Sequence, residues 1–445
     1  MASTSSGGKV DNVVGPEDMA GTSDRAMRAL SIMLSPPHVD VGTTPSEVVH
    51  AEDKLRLLHY LPLKEGPAVS PPVLVVYALI NRPYILDLQP DRSVVRALLE
   101  RGHDVYLIDW GSPSNGDSSL TLSDYVDGYI DRCVDAVLDR SGAPRLTLFG
   151  YCMGGTLSVM YAALHPERVR NLIIMAAPVD AETDDGLLHI WSRREWYDAD
   201  KIVDTLGNVP AEFMNLGYNI LDPVLNNVGK LVHLTEIVDD DEAVRNYLRM
   251  EKWVADGIPM AGETFRQFLK DIYQENLLIQ NRMRLAGRVV DLRRIDMPLL
   301  LVMGRRDHLV PPAASRPLLD AVASTDKESK EIEAGHIGLS VGSRAHRELW
   351  PAVAEWISKR SDALRSPETL TPGRARRGRP QRKDHGNAVM GLETLKGLGP
   401  SAARRLGEAG VKDARDLASA DLEALSRQTR IPLSRLMAWK GSLEG

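Results

Sequence analysis

The sequence is poor in cysteine and in aromatic side chains. Only two of its 445 residues are cysteines, Cys133 and Cys152, and aromatic residues make up 5% of the chain, with four phenylalanines. Two cysteines cannot build the disulfide framework on which small secreted domains depend. This scarcity excludes that class of protein and fits a reducing cytoplasm.

The sequence also lacks long hydrophobic runs and a secretory start. Its first residues, MASTSSGGKVDNVVG, contain no basic segment followed by an apolar core, so we do not expect a secretory signal. No apolar run approaches the roughly 20 residues that a membrane-spanning helix needs, so we expect no transmembrane segment. We find no metal-ligand spacing and no phosphate-binding glycine loop, and we therefore expect neither a metal nor a bound cofactor.

Charge of neither sign dominates the composition. The chain has 54 basic and 61 acidic residues and a net charge of −7. This balance argues neither for nor against nucleic-acid binding by the whole chain. Nucleic-acid binding therefore has to be judged from the charge of individual segments. Hydrophobic residues make up 43%, and a chain of this length can bury the core of one large domain and of a second, small one.

Six apolar, β-rich segments recur along the chain, and helical patterns separate several of them. Apolar strands that alternate with helices are typical of a mostly parallel sheet covered by helices on both faces. The sequence therefore predicts an α/β fold. The six segments are KLRLLHY, PVLVVYAL, DVYLIDW, RLTLFGY, NLIIMAA and PLLLVMG.

The alternation of strands and helices stops after Pro178 and resumes near residue 297, and the composition changes again after Pro367. These changes set the predicted domain boundaries. The prediction comprises a disordered N-terminus over residues 1–25, an α/β domain over 26–364 with a mainly helical cap at about 180–290, a basic linker over 365–390, and a small all-α helix-hairpin-helix domain over 391–445. We expect truncation near Pro367 to leave the α/β domain folded.

The stretch LTLFGYCMGGTL places a cysteine between a buried strand and the following helix. A strand, a sharp turn of the form G-x-nucleophile-x-G and a helix make up the nucleophile elbow of the α/β-hydrolase fold. Gly150 and Gly154 permit the close backbone approach that this turn needs. An isolated cysteine is more often a buried structural residue, but the elbow around Cys152 predicts a nucleophile.

A thiol needs a base, and in this fold the acid and the histidine follow later strands. Asp307 comes directly after LLLVMGRR, and His336 lies in EAGHIG before the last helix. The order Cys152, Asp307, His336 predicts a catalytic triad, although Asp307 also suits a helix cap and His308 is a competing imidazole. For the oxyanion hole we predict the backbone N–H groups of Met153 and Ile80.

Several motifs together resemble the polyhydroxyalkanoate synthases, and most of all the catalytic subunit of the two-subunit class III type. These motifs are VVYALINRPYILDLQPDRSVV, DVYLIDWG, GYCMGGTL, GRRDHLVPP and GHIGLSVG. The resemblance implies an acyltransferase that polymerises (R)-3-hydroxyacyl-CoA, with short-chain substrates such as 3-hydroxybutyryl-CoA expected. It implies that Cys152 carries the growing polyester, that His336 is the base and that Asp307 assists. CoA is then part of the substrate and a product.

The resemblance also implies a location and partners. Such enzymes work in the cytoplasm at the surface of polymer granules, and the short catalytic chains need a second synthase subunit. We therefore expect a partner subunit, a homodimer or both. A dienelactone hydrolase is the alternative enzyme, since such hydrolases also have a cysteine elbow of the form GYCxGG.

The tail leaves a different alternative open. Six basic residues lie between Arg374 and Lys383, and RRGRPQRK resembles the AT-hook core that binds the narrow minor groove of DNA. The tail would then be a DNA-binding module. The helix-hairpin-helix domain is not strongly basic, however, and this favours a protein partner. Its acidic residues are Glu393, Glu408, Asp413, Asp416, Asp421 and Glu423.

Overall fold

The structure is a computed structural model. It describes residues 16–63, 69–183, 185–221, 229–361, 392, 395, 398, 400–429, 431, 433–441 and 443. The chain divides into two compact units. Unit 1 combines Met1–Asp40 with Leu216–Ala255, and unit 2 combines Val41–Asn215 with Asp256–Gly445.

Unit 2 contains the mostly parallel sheet that the sequence predicts. Eight strands lie in the order β1-β2-β4-β3-β5-β6-β7-β8, and only the pairs β1–β2 and β2–β4 are antiparallel. The strands are β1 (Ser46–Glu52), β2 (Leu55–Tyr60), β3 (Val69–Val76), β4 (His103–Asp109), β5 (Leu146–Tyr151), β6 (Val169–Met175), β7 (Leu299–Gly304) and β8 (Lys327–Ile332). Every residue of β5 and β7 is buried, as expected of parallel strands covered on both faces.

Helices connect most of these strands. In chain order they are α1 (Pro16–Leu34), α2 (Val94–Leu99), α3 (Asp131–Ser141), α4 (Met153–Leu164), α5 (Leu187–Trp191), α6 (Ala199–Leu206), α7 (Ala211–Leu221), α8 (Lys230–Ile237), α9 (Asp241–Ala255), α10 (Gly262–Gln267), α11 (Pro312–Ser315), α12 (Leu318–Ala321), α13 (Gly338–Val341), α14 (Trp350–Lys359), α15 (Pro400–Glu408), α16 (Ala414–Ser419), α17 (Leu422–Thr429) and α18 (Leu433–Gly441). None of the helices in the described part of the chain is long and apolar enough to span a membrane.

Shorter elements complete the secondary structure. Wider, π-type turns form Asp124–Ile130, Phe268–Gln274 and Ala345–Leu349. Tight 3-10 turns form Pro83–Leu86, Asn115–Asp117, Pro166–Arg168 and Leu292–Arg294. Two small antiparallel pairs join Asp87–Gln89 to Arg92–Ser93 and Arg284–Leu285 to Arg288–Val289.

The segment between β6 and β7, where the sequence predicts a cap, is mainly helical and contains α5 to α10. The end of α7, together with α8 and α9, belongs to unit 1. The sequence did not predict this division of the segment between two units, because the division depends on contacts with the N-terminal helix α1, which is distant in the chain. The predicted boundaries of the cap stay a prediction.

Unit 1 corrects the prediction for the N-terminus, because α1 begins at Pro16 inside the segment that was expected to be disordered. Two ion pairs hold this helix: Arg25 Nε lies 2.6 Å and Arg28 Nη1 2.8 Å from the Asp239 carboxylate. An apolar cluster joins the helix to α8 and α9. Its buried members are Ala29, Val39, Leu234, Val244 and Leu248. Residues 1–15 lie outside the described residues.

The described C-terminal residues form four helices, α15 to α18, and the helix-hairpin-helix arrangement of this domain stays a prediction. They share one apolar core. Its buried members are Leu392, Leu395, Ala402, Leu406, Val411, Leu417, Leu425, Ile431, Leu436 and Trp439. The predicted basic linker, with its segment from Arg374 to Lys383, lies outside the described residues.

Candidate active site

The turn between β5 and α4 holds Cys152 in a backbone conformation that non-glycine residues rarely adopt. Its φ is 56° and its ψ −131°, and such strain persists only where the surroundings enforce it. The surroundings are tight, because a Cβ added at Gly150 would lie 2.5 Å from Gly155 Cα. The side chain of Cys152 remains partly exposed, as the elbow prediction requires of a nucleophile.

The ends of β7 and β8 bring Asp307 and His336 together, 29 residues apart in the chain. His336 Nδ1 lies 2.7 Å from Asp307 Oδ2, and the two side chains are 7% and 0% exposed. Asp307 Oδ1 accepts the backbone N–H groups of Leu309 and Val310 at 2.9 and 2.8 Å. Asp307 therefore binds the histidine with one oxygen and its own loop with the other. It does not cap the following helix α11, whose N-cap residue is Pro311.

His336 is buried among groups that favour its charged form. Burial lowers the pKa of His336, but the negative charge of Asp307, then that of Cys152, and hydrogen bonds to both outweigh it and raise the pKa to about 10. His336 therefore interacts with both a carboxylate and a thiol, the two partners that the base of such a triad needs.

The competing candidates lie elsewhere. His308 is exposed to solvent, whereas His336 has the carboxylate partner. Cys133 is fully buried in α3, and burial raises its thiol pKa well above the usual range. A thiol in that environment resists ionisation, so Cys133 is not suited to nucleophilic attack.

The predicted oxyanion donors lie at two neighbouring places. Met153 is the first residue of α4, where a backbone N–H has no partner within the helix. A Cβ at Gly154 would lie 2.2 Å from the Val76 carbonyl oxygen, so α4 begins directly against the end of β3. Ile80 follows β3 in the next loop, and its carbonyl accepts the N–H of Ile258 at 3.2 Å. The assignment of Ile80 as the second donor stays a prediction.

Two further residues support the site and were missed by sequence reasoning. Tyr151 stacks on His336 with 5.1 Å between ring centroids, and its hydroxyl donates to the His336 carbonyl at 2.9 Å. Trp110 Nε1 donates to the Tyr77 carbonyl at 2.9 Å, next to the predicted oxyanion loop. Their positions, directly before the nucleophile and at the end of β4, were the available signals.

Within the described residues, no cluster of His, Cys, Asp or Glu side chains could hold a metal ion. The triad geometry instead suits acyl transfer by a thiol nucleophile. A thiolate can attack an activated acyl group, and the imidazolium can return the proton to the leaving group.

Comparison with known proteins identifies the family. A profile for the alpha/beta hydrolase fold matches residues 71–343, and one for the N-terminus of poly-beta-hydroxybutyrate polymerase matches residues 38–98. The poly(3-hydroxyalkanoate) polymerase subunit PhaC of Haloferax mediterranei is 45% identical over 469 residues, 95% of each chain. The chain belongs to the poly(3-hydroxyalkanoate) polymerase family. The α/β-hydrolase fold and the family resemblance predicted from the sequence are thus confirmed.

Other relatives differ in how much of the chain they match. The subunit PhaC of Haloarcula marismortui is 45% identical over 96% of this chain and 95% of its own. The subunit PhaC of Allochromatium vinosum is 44% identical over 97% of its own length but over only 77% of this chain. About a quarter of the chain therefore has no counterpart in this shorter member of the family.

Proposed function

We propose that this enzyme polymerises (R)-3-hydroxyacyl-CoA thioesters into polyhydroxyalkanoate and releases CoA, through an acyl thioester on Cys152. The observation that carries the proposal is the elbow cysteine paired with the His336–Asp307 dyad in a member of the poly(3-hydroxyalkanoate) polymerase family. As an acyltransferase the chain needs no cofactor, because its substrate arrives already activated.

Loading exchanges one thioester for another. His336 removes the proton from Cys152, and the sulfur attacks the acyl carbonyl. The C–S bond to CoA then breaks, and His336 gives the proton to the departing CoA thiolate. Since a thioester replaces a thioester, the step is nearly neutral in free energy and the acyl group stays activated.

Elongation supplies the driving force. His336 removes the proton of a 3-hydroxyl group, and that oxygen attacks an acyl thioester. The product is an oxoester, which is more stable than the thioester it replaces, and the thiol that leaves takes the proton. A serine would hold the acyl group as an oxoester and would remove this driving force.

We assign to Asp307 the role of orienting His336. One carboxylate oxygen accepts from His336 Nδ1 at 2.7 Å, and the other accepts two backbone N–H groups. Both oxygens are therefore engaged, and Nε2 of the imidazole is left for the proton transfers. This arrangement favours the orienting role over direct assistance to the substrate hydroxyl, an alternative that the sequence left open.

We further propose that the substrates are short-chain, such as 3-hydroxybutyryl-CoA, and that the enzyme works in the cytoplasm at the surface of its polymer granules. A polyester that grows on Cys152 stays covalently attached to the enzyme, and this polyester separates from water into granules. A second synthase subunit, a second copy of the chain or both complete the proposed assembly.

The test is to incubate the purified protein with 3-hydroxybutyryl-CoA and to measure CoA release, polymer and free 3-hydroxybutyrate. We expect CoA and polymer in parallel, with labelled acyl groups on Cys152 after a single turnover. CoA release with free hydroxy acid and no polymer would favour the dienelactone hydrolase alternative. The same measurements with longer acyl chains test the chain-length proposal.

A further inference from the structure

The C-terminal hairpin domain packs against the catalytic domain within unit 2. Helix α15 lies on the π-type turn Asp124–Ile130, and α18 lies beside Asn115–Asp117. Arg405 on α15 donates from Nη2 to the Ser119 carbonyl at 3.2 Å. The C-terminal domain and the catalytic domain therefore contact each other directly.

A second contact uses Arg435 on α18. Its Nη2 lies 3.9 Å from Asp53 Oδ2, and the same oxygen accepts the Tyr129 hydroxyl at 2.6 Å. The Arg435 guanidinium also lies 5.1 Å from the centre of the Trp439 ring. The arginine side chain is 12% exposed, so this pair is screened less by solvent than a surface ion pair.

The interface also includes the partly buried guanidinium of Arg405. Burial lowers the pKa of Arg405, although the charge of Asp124 opposes this effect, and the Arg405 Nε has no hydrogen-bond partner. An unpaired buried donor costs free energy. The cost is tolerated only where packing holds the side chain in place, which argues for a docked domain and against a freely moving one.

The docked domain contacts a loop that also contacts the segment between β6 and β7. The Ser114 carbonyl accepts from Asn208 Nδ2 at 2.7 Å, and the Ser118 carbonyl accepts the Glu263 N–H at 2.9 Å. The Leu120 carbonyl accepts the Thr264 hydroxyl at 2.6 Å. The loop over residues 114–120 is thus fixed on one side by the segment between β6 and β7 and on the other side by the tail.

We propose that the C-terminal hairpin domain is an intramolecular positioning domain, which Arg405 and Arg435 dock on the catalytic domain so that the 114–120 loop holds the α10 region in place. Arg405 and Arg435 are positioning residues, because neither touches the triad. The docking stands on the contacts alone, whereas its effect on turnover rests on the proposed function. The arginines engaged in docking are not free to bind DNA phosphates.

The experiment uses the full chain with Arg405→Met and Arg435→Met, singly and together. Methionine keeps much of the apolar stem while removing the guanidinium. Arg415→Met is the matched control, because Arg415 is an exposed arginine of the same domain. Hydrogen exchange at residues 114–130 and 400–441 reports docking, and CoA release reports turnover.

We expect the double variant to raise exchange at residues 114–130 about tenfold or more while exchange inside α15 to α18 stays within about twofold, and the control to change neither. The KM for 3-hydroxybutyryl-CoA should rise about three- to tenfold with a smaller change in kcat, because positioning is lost and the triad is intact. The single variant Arg405→Lys keeps a positive charge. It should therefore show smaller increases in exchange at residues 114–130 and in KM than Arg405→Met.

Unchanged exchange at residues 114–130 in the double variant overturns the docking. Raised exchange with an unchanged KM overturns the positioning role. Binding of a short A·T-rich duplex by the parent chain that the Arg405 and Arg435 changes weaken would also overturn the proposal, since the guanidiniums would then serve DNA. If the parent chain releases no CoA, the proposed function fails while the exchange result still decides the docking.

Discussion

Cys152 and Cys133 carry the same functional group in opposite environments. Cys152 sits on a strained turn beside His336, whereas Cys133 is fully buried in α3. We expect Cys152→Ala to lower CoA release about 1,000-fold or more and to abolish acyl labelling. Cys133→Ala should retain most activity and lower the free energy of unfolding by about 1 kcal/mol. A comparable loss of labelling in both variants would contradict the assignment.

Replacing the thiol by a hydroxyl tests the thioester argument. Cys152→Ser keeps the elbow and its volume but would hold the acyl group as an oxoester. We expect a slow or inactive polymerase whose residual product is free hydroxy acid, measured by separating polymer from soluble acid. Polymer formation at a rate near that of the parent enzyme would refute the argument.

The 2.7 Å contact between Asp307 and His336 gives the third prediction at this scale. Asp307→Asn should slow acylation and elongation alike, each about 100-fold or more, because both steps use the oriented imidazole. His336→Gln should act on both steps in the same way. Single-turnover labelling measures acylation and polymer length measures elongation. Acylation at the parent rate in Asp307→Asn would instead favour direct assistance to the hydroxyl.

The raised pKa of His336 also predicts how stability depends on pH. Folding raises this pKa from 6.5 to about 10, so the native state binds the proton more tightly than the unfolded chain. The stabilisation is full below pH 6.5 and is lost as the pH rises towards about 10. Urea unfolding at several pH values should show a steeper loss of stability over this window in the parent than in His336→Gln. Parallel curves would contradict the prediction.

At the scale of elements, the elbow depends on how closely α4 approaches β3. A Cβ at Gly154 would lie 2.2 Å from the Val76 carbonyl oxygen and 2.6 Å from the Tyr77 carbonyl carbon. We expect Gly154→Ala to cost about 1–3 kcal/mol in the free energy of unfolding and to lower CoA release strongly, because backbone has to move at the nucleophile.

Gly217 in α7 is the matched control for Gly154. A Cβ there would meet nothing within 4 Å, and alanine favours a helix by roughly 0.5–1 kcal/mol over glycine. Gly217→Ala should therefore leave stability unchanged or slightly improved, as urea unfolding can measure. Equal effects of the two substitutions would show that steric contact at the elbow is not the cause.

The sequence predicted those elements whose signals are local. Strand-like runs located the sheet, and the ends of β5 and β7 located Cys152 and Asp307, because α/β sheets place their sites at the carboxyl ends of strands. The role of Tyr151 depends on contact with a residue 185 positions away, and no periodicity encodes that distance. The association of α1 with α8 and α9 and the docking of the tail were missed for the same reason.

At the scale of the whole molecule, the chain combines a family-wide catalytic core with an extension that only some relatives match. The Haloferax mediterranei relative aligns over 95% of this chain, whereas the Allochromatium vinosum relative aligns over 77%. The part of the chain without a counterpart in the shorter relative agrees with the positioning role proposed above for the C-terminal domain.

Unit 1 presents an apolar stripe that bears on location. On α1, the side chains of Met27, Leu30 and Leu34 are 64%, 44% and 79% exposed, and their spacing of three and four residues puts them on one side of the helix. Clustered apolar side chains that face water mark an interaction surface. If the proposed granule association is right, this stripe contacts the polyester surface.

We expect the double variant Leu30→Gln and Leu34→Gln to bind isolated polyhydroxybutyrate granules more weakly in a sedimentation assay, by about fivefold or more. The reason is that two apolar side chains are no longer buried against the polyester. CoA release in solution should stay near the parent value, because neither residue belongs to the triad. Leu206→Gln is the control, because Leu206 is similarly exposed, at 43%, on α6 of unit 2. Granule binding that falls equally in the control would indicate general loss of surface hydrophobicity, and unchanged binding in the double variant would remove the stripe from the granule interface.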